Sequence, residues 1–461
     1  MADDNKTLPE PSVPAVTAET VVQVHDWLAK GEMSRVIALS AELPEVDRAG
    51  LLELSSYDDR QILIGLLQEQ LTPEVLSCLA IEVREEVLAR LHPTQIAAAV
   101  AELDSDDAVD LVEDLDEAQR AAVMASLPAA DRQVVEQALT YPEESAGRLM
   151  QREVVTVPDD STVGKAVDWL LHEETDNLPP EFHDLIVIDP FRKVVGTVPL
   201  YGLLRATRGT KIRDIMREDT YHIPVTMDRE DVAGIFQRYR LQSAPVVDEQ
   251  DHLLGVITID DVVEVLKEEA EEDIRAMGGV GVEESIHDDV MQVTRSRFLW
   301  LFLNLLTAIL ASLAIGLFEA SLQQVVALAV LMPIVASMGG NAGTQTLTVA
   351  VRALATRELV PSNYWRLILR EVRIGATNGV GFAALVGVVT WVWFGSFLIG
   401  ITIALAMIIN LIAAGFSGAV IPIVLRRFGF DPAISGAVFL TTVTDIVGFV
   451  AFLGLATLIL F

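Results

Sequence analysis

DPAISGAVFLTTVTDIVGFVAFLGLATLILF, residues 431–461, is an apolar run of membrane-spanning length with one acid, Asp445, near its middle. A helix needs about 20 apolar residues to cross the hydrocarbon core. An ionised carboxylate at mid-membrane costs about 2.5–3.5 kcal/mol on insertion scales, so it needs a partner or a water-filled path. Thr441, Thr444, Asp445 and Gly448 follow the spacing i, i+3, i+4, i+7 and share one helix face. That face carries hydroxyls, a carboxylate and a gap for close approach, with no Lys, Arg or His. A cation in transit is the natural counter-charge. The alternative is an ion pair with an Arg of another span, but every Arg of this half lies at a span end.

Four similar runs precede it, at about 298–318, 323–348, 374–394 and 397–425; the last run begins at 433. Pro333 and Gly339, Gly340 and Gly343 interrupt the second. Arg295 and Arg297 precede the first span, Arg352, Arg357, Arg366, Arg370 and Arg373 lie between the second and third, and Arg426 and Arg427 precede the fifth. The loops around Glu319–Ser321 and Phe394–Ser396 contain no Lys or Arg. The positive-inside rule places the N-terminus and soluble half in the cytoplasm and the C-terminus outside a cell membrane crossed five times.

Charge divides the chain near Arg295. From there to the end stand nine Arg, no Lys and five acids, a net of +4. The whole chain is −33, which leaves −37 and all seven His on residues 1–294. Such a surface argues against nucleic acid or anionic lipid as partners of the soluble half and favours cations. The single cysteine, Cys78, excludes an intramolecular disulfide and a cysteine-based metal site. Residues 1–20 are acidic and Pro-rich, lack the regions of a signal peptide and read as a disordered lead-in. No nucleophile–base pair, phosphate loop or His cluster appears, so no enzymatic activity is expected.

Residues 21–146 read as short amphipathic helices in a recurring Leu–turn–helix unit of about a dozen residues, a small superhelical all-α domain. Residues 147–262 contain a repeat. LIVIDPFRKVVGTVPLYGLLRA (185–206) aligns with APVVDEQDHLLGVITIDDVVEV (244–265) at an offset of 59, matching Asp189 with Asp248 and Gly196 with Gly255. Each unit reads strand, Asp-initiated turn, strand, helix. This resembles a tandem α/β pair of cystathionine-β-synthase (CBS) domains, at about 147–208 and 209–262. Such pairs often dimerise, regulate a fused transporter or enzyme and bind adenine nucleotides; the residues here leave nucleotide binding open.

A helix starting at Asp260 follows, with Thr258 as its N-cap and Asp261 three residues on, and runs to Met277. Asp261, Glu264, Glu268 and Glu272 fall on one side, with Glu269, Glu271 and Asp273 adjacent, and only Lys267 and Arg275 offset them. It reads either as a solvated acidic connector or as a surface that divalent cations screen against other acids. Residues 263–294 form this connecting helix and linker, and 295–461 the membrane domain.

PIVASMGGNAGTQTLTVAVRALATREL (333–359) is similar to the signature of MgtE-type magnesium channels and transporters, with its GGN-x-G-x-Q core, and YPEESAGRLM (141–150) to that family's junction between helical and CBS domains. The domain order also matches. The resemblance implies a homodimer whose pore is lined by the second and fifth spans. Asn341, Thr344, Gln345 and Thr348 form a polar face on the second, with Gly340 and Gly343 giving close backbone approach and freed carbonyls, while Gly375-x-x-x-Gly379 reads as helix packing. Asp445 matches the family's pore carboxylate.

The resemblance further implies closure by cytosolic Mg²⁺. Asp106 and Asp110 match acids of the N domain, one turn apart so that both could face one ion; Asp261 matches their CBS-side partner. Glu269, Glu272 and Asp273, beside Glu264, match the connecting helix's ligands, and Asp431 the acid that meets this helix, although it also suits an N-cap before Pro432. Glu230 is retained, but Arg240 stands where the family often has an acid. Two other readings stay open: transport of another divalent cation such as Mn²⁺ or Co²⁺, and a membrane-bound CBS sensor that conducts nothing.

Overall fold

The computed structural model describes residues 16–172, 178–179, 182–280, 290–356, 358–430 and 432–460. It divides into two compact units, Met1–Lys267 and Glu268–Phe461.

The first unit opens with a run of short helices: α1 (Ala18–Lys30), α2 (Met33–Glu42), α3 (Glu45–Leu54), α4 (Tyr57–Leu66), α5 (Pro73–Ser77), α6 (Ile81–Leu88), α7 (Pro93–Glu102), α8 (Ser105–Glu113), α9 (Glu117–Ser126) and α10 (Ala129–Ala138). Local chemistry sets their ends. Thr17 and Asp116 accept hydrogen bonds from amides of the first turns of α1 and α9, and Pro73 and Pro93 start α5 and α7, where a missing N–H costs nothing. Leu43, Leu67, Leu79, Leu91, Leu115 and Leu127, separated by multiples of twelve residues, are all buried. The repeat therefore places one leucine per turn in a continuous core, as a stacked helical array requires.

After α11 (Ala146–Leu149) come two three-stranded sheets. The first holds β1 (Thr156–Pro158), α12 (Val163–His172), β2 (Asp184–Ile188), β3 (Val194–Pro199) and α13 (Leu200–Arg205); the second holds β4 (Ile223–Pro224), α14 (Arg229–Tyr239), β5 (Ser243–Val247) and β6 (Leu253–Thr258). In each, a parallel pair is followed by an antiparallel one. Asp184 pairs with Pro199 and Ser243 with Thr258, and the bulges fall at Val187/Ile188 and Val246/Val247, so the sequence offset of 59 is also the offset of the ladders. Gly196 and Gly255 are equivalent in packing as well. A Cβ at either would lie 2.5 Å from a backbone oxygen, of Arg217 or of Gln151.

The acidic helix α15 (Ile259–Gly278) begins at Ile259 and extends one residue past the expected end. Half of the expected capping box is present: Asp261 Oδ2 accepts from the Thr258 amide at 3.3 Å, and it also takes the Thr258 hydroxyl at 2.7 Å.

The second unit contains α16 (Val290–Gly316), the short α17 (Glu319–Gln324), α18 (Val326–Ala355), α19 (Tyr364–Phe394), α20 (Phe397–Arg427) and α21 (Pro432–Leu460). Five of these have the length and composition to cross a membrane. Helix α20 is central, packing on α18, α19 and α21, while α16 lies against α21. Gly375 serves packing, since a Cβ there would meet the Leu411 carbonyl at 2.4 Å. One expectation fails. Helix α18 runs unbroken past Pro333 and the glycines. Thr344 and Thr348 donate their hydroxyls to the carbonyls of Gly340 and Thr344, at 3.0 and 2.9 Å. Helix neighbours hold the glycine segment in register instead, as described below.

Candidate functional site

Two groups of polar residues stand out, one in each unit. In the first unit, α8 and the start of α15 bring carboxylates together. Asp106 is buried, and its Oδ1 has no hydrogen-bond partner among the described residues. Burial pushes its carboxyl well above the usual range; the charge of Asp261 and then that of Asp107 add to this, and a Gln151 hydrogen bond partly opposes it. Burial likewise raises Asp261 to about 6, opposed by its Thr258 hydrogen bonds, and Asp107 to about 6, with Asp104 adding and Arg84 opposing.

Asp110 keeps an exposed edge, yet the protein packed around its carboxyl raises it to about 7; Arg84 opposes, and Asp107, Asp114 and Glu264 add. Asp104 is raised by burial and by the charges of Glu153 and Asp260. One cation within the cluster, Arg84, is buried and already engaged, its Nε 2.5 Å from Asp114 Oδ2. The arrangement concentrates negative charge that protons or mobile cations must offset.

Asp106 is raised by the charges of Asp261 and Asp107, and Asp110 by those of Asp107, Asp114 and Glu264, so Asp107 acts on both. Neighbours at i, i+4 have Cβ atoms about 5–6 Å apart. Among the described residues, no three carboxylates, imidazoles or thiols gather closely enough to hold a metal directly. Such a cluster suits an ion that keeps its water. Mg²⁺ fits, because it sheds its hydration shell reluctantly. Asp104, Asp107 and Glu153 escaped the sequence reading. The spacing of Asp107, Asp110 and Asp114, at i, i+3 and i+7, was the available signal. Glu153 joins through tertiary contact, accepting from the Ser105 hydroxyl at 2.8 Å.

The other acids expected to bind cations are more scattered. Glu230 lies in the first turn of α14, whose last residue hands over to Arg240 in the left-handed conformation, φ 53°. Glu269, Glu272 and Asp273 lie on the second-unit part of α15, where Ala276 is buried with Leu347, Val351 and Leu440. Asp431 lies outside the described residues.

In the membrane unit, Asn341, Thr344, Gln345 and Thr348 are exposed along α18, and Thr441 along α21. Asp445, one turn after Thr441, is half-buried, roughly 20 Å along α21 from Pro432. Arg275 pairs with Glu271 and Arg370 with Glu371, and no ion pair among the described residues reaches Asp445. Thr444 is buried, its hydroxyl turned to the Leu440 and Thr441 carbonyls at 3.1 Å. Gly343 and Gly448, expected on the ion side, are buried in interhelical contacts: a Cβ on Gly343 would meet Leu440 at 2.8 Å, and one on Gly448 would meet Asn410 Nδ2 at 2.7 Å. Gly340 is half-buried with open space beside its Cα.

Asn410 is the residue that pattern reading missed. It is fully buried on α20, donates to the Val335 carbonyl of α18 at 2.8 Å, and lies against both Gly339 and Gly448. It therefore ties α18, α20 and α21 together at the level of the polar face. A second omission is Glu371, buried on α19 and accepting from Thr346 of α18 at 3.3 Å. Its position among loop-flanking arginines gave no sign of burial.

Residues 332–455 match the family described as MgtE, divalent cation transporter; residues 43–144 match the MgtE intracellular N domain, and 212–268 a CBS domain. The magnesium transporter MgtE of Bacillus subtilis is 32% identical over 90% of this chain and 89% of its own length. That of Thermus thermophilus is 31% identical over 95% and 98%. A solved cytosolic domain of the Mg²⁺ channel MgtE in complex with ATP is 27% identical, covering 53% of this chain and 99% of that one, with a TM-score of 0.48.

Proposed function

The chain is a member of the MgtE family of divalent cation transporters, a family of transporters rather than enzymes, and from this premise we propose that two copies form a Mg²⁺-conducting pore that cytosolic Mg²⁺ closes. The observation that carries the reading is Asp445: a mid-span carboxylate with no ion pair among the described residues, on a helix packed against the one that exposes Asn341, Thr344 and Gln345. An exposed polar face is costly in lipid, so a second copy or water must cover it. A two-fold pair of Asp445 carboxylates supplies charge without a cage. Hydrated Mg²⁺ then passes with its inner waters in place and leaves quickly.

The acidic cluster supports the closing role. Asp106, Asp107, Asp110, Asp261 and Glu264 repel one another, and bound hydrated Mg²⁺ relieves that repulsion. Glu230, Glu269, Glu272, Asp273 and Asp431 extend the same chemistry toward the connecting helix. A site that binds only the closed form contributes about 0.4 kcal/mol when free Mg²⁺ equals its Kd. Roughly six such sites move a balanced gate to about 98:2. The arginines that flank the spans on one side put the soluble half in the cytosol, and five spans then put the C-terminus outside. Adenine nucleotide in the CBS pair belongs to the same proposal. Single-channel recording of the purified full-length protein tests the reading. Cation current that falls as cytosolic Mg²⁺ rises is expected; absence of conduction, or current indifferent to Mg²⁺, contradicts it.

A further inference from the structure

The connection between α18 and α19 forms a cleft of about 480 Å³ whose lining includes Arg352, Arg366 and Arg370, with Glu358 as its one acid. All three guanidinium-bearing residues are exposed. Arg352 comes from the last turn of α18, where a cation suits the helix dipole. Arg366 is the opposite case. It stands in the first turn of α19, which contains no acid, so it adds positive charge to an already positive helix end. Arg370 follows one turn later on the same side. The expected cap is also missing. Asn363 occupies the N-cap position, but its side chain accepts from the Val360 amide at 2.9 Å and donates to the Glu358 carbonyl at 2.8 Å. The first amides of α19 therefore have no side-chain cap. The cleft floor is apolar, with Leu359 and Leu367 buried.

Topogenesis explains why cations lie on this side of the membrane. It does not explain why three of them share a cleft with an uncapped helix start. We propose that this cleft binds the phosphate of an anionic phospholipid headgroup from the cytoplasmic leaflet. A phosphodiester matches uncapped amides and arginines, and basic pockets at the cytoplasmic ends of spans are suited to anionic headgroups. Lipid is favoured over free phosphate because the cleft lies at the ends of two membrane helices and has an apolar floor that acyl chains can extend. The proposal rests on the sidedness proposed above.

The test uses the full-length protein in neutral detergent, with phosphatidylglycerol, phosphatidylcholine or inorganic phosphate added. Retained lipid is counted by native mass spectrometry and thermal stability is recorded. Wild type should retain phosphatidylglycerol over phosphatidylcholine and gain stability from it. Arg352→Gln with Arg366→Gln should weaken retention by about 30-fold, roughly fivefold per guanidinium, while the Lys pair should keep most of it. Equal retention of both lipids, undiminished retention in the Gln pair, or displacement by inorganic phosphate alone overturns the proposal. Protease access to the soluble half in inside-out vesicles reports sidedness separately, so failure of that reading is distinguishable.

Discussion

The carboxylate of Asp261 at the start of α15 raises the proton affinity of the buried Asp106 carboxyl on α8, whose Oδ1 has no hydrogen-bond partner among the described residues. The contact is repulsive at neutral pH unless a proton or cation lies between its partners. Asp106→Asn removes one of the two charges. Without Mg²⁺, protease cleavage near α15 should slow in this variant, and the further protection added by Mg²⁺ should shrink. Unchanged protection with and without Mg²⁺ would show that this pair does not respond to the ion.

The same groups predict a pH dependence. Asp107, Asp110 and Asp261 titrate near 6 to 7 when folded, above their unfolded value of 3.8. Between those values the folded form holds more protons, so stability falls as pH rises. In Mg²⁺-free buffer, protection of the soluble half should be greatest near pH 4 to 5 and decline through pH 7, and Mg²⁺ should flatten the decline. A rise in protection with pH would reverse the sign of the argument.

Gly339→Ala tests the packing about Asn410. A new Cβ would sit 2.2 Å from Asn410 Nδ2, so the side chain or helix must shift. Overpacking of this kind costs about 1–3 kcal/mol. Thermal unfolding in detergent should show a lower midpoint. Gly340→Ala, one residue on with open space at its Cβ, should leave it nearly unchanged.

Arg240→Asp tests the departure from the family pattern. The site is left-handed, φ 53°, a conformation that Asp tolerates, so the variant should fold. It should increase the Mg²⁺ dependence of protease protection. Superimposable wild-type and variant curves would assign Arg240 no part in closure.

The fold class was legible because its signals are periodic. Leucines every twelfth residue, a repeat at offset 59 and apolar runs of spanning length each have one economical structural solution. Asp445 was legible because a charge in an apolar run is conspicuous. Asn410 and Glu371 were not, since their burial depends on which helices meet, and no local spacing encodes that. The unbroken course of α18 has the same cause. Glycine and proline lower helix propensity, but contacts with Asn410 and Leu440 keep the segment helical. The spacing put Asp106 and Asp110 one turn apart; that the charges of Asp261 and Glu264 on α15 act on them comes from tertiary structure.

In the proposed pore, Asp445 carries Mg²⁺ through the membrane unit. Mg²⁺ uptake into proteoliposomes measures this directly for wild type, Asp445→Asn and Asp445→Glu. The Asn variant should lose about tenfold or more of the flux, about 1.4 kcal/mol per decade, with Glu retaining a larger share because it keeps the charge. Wild-type flux in Asp445→Asn would contradict the account.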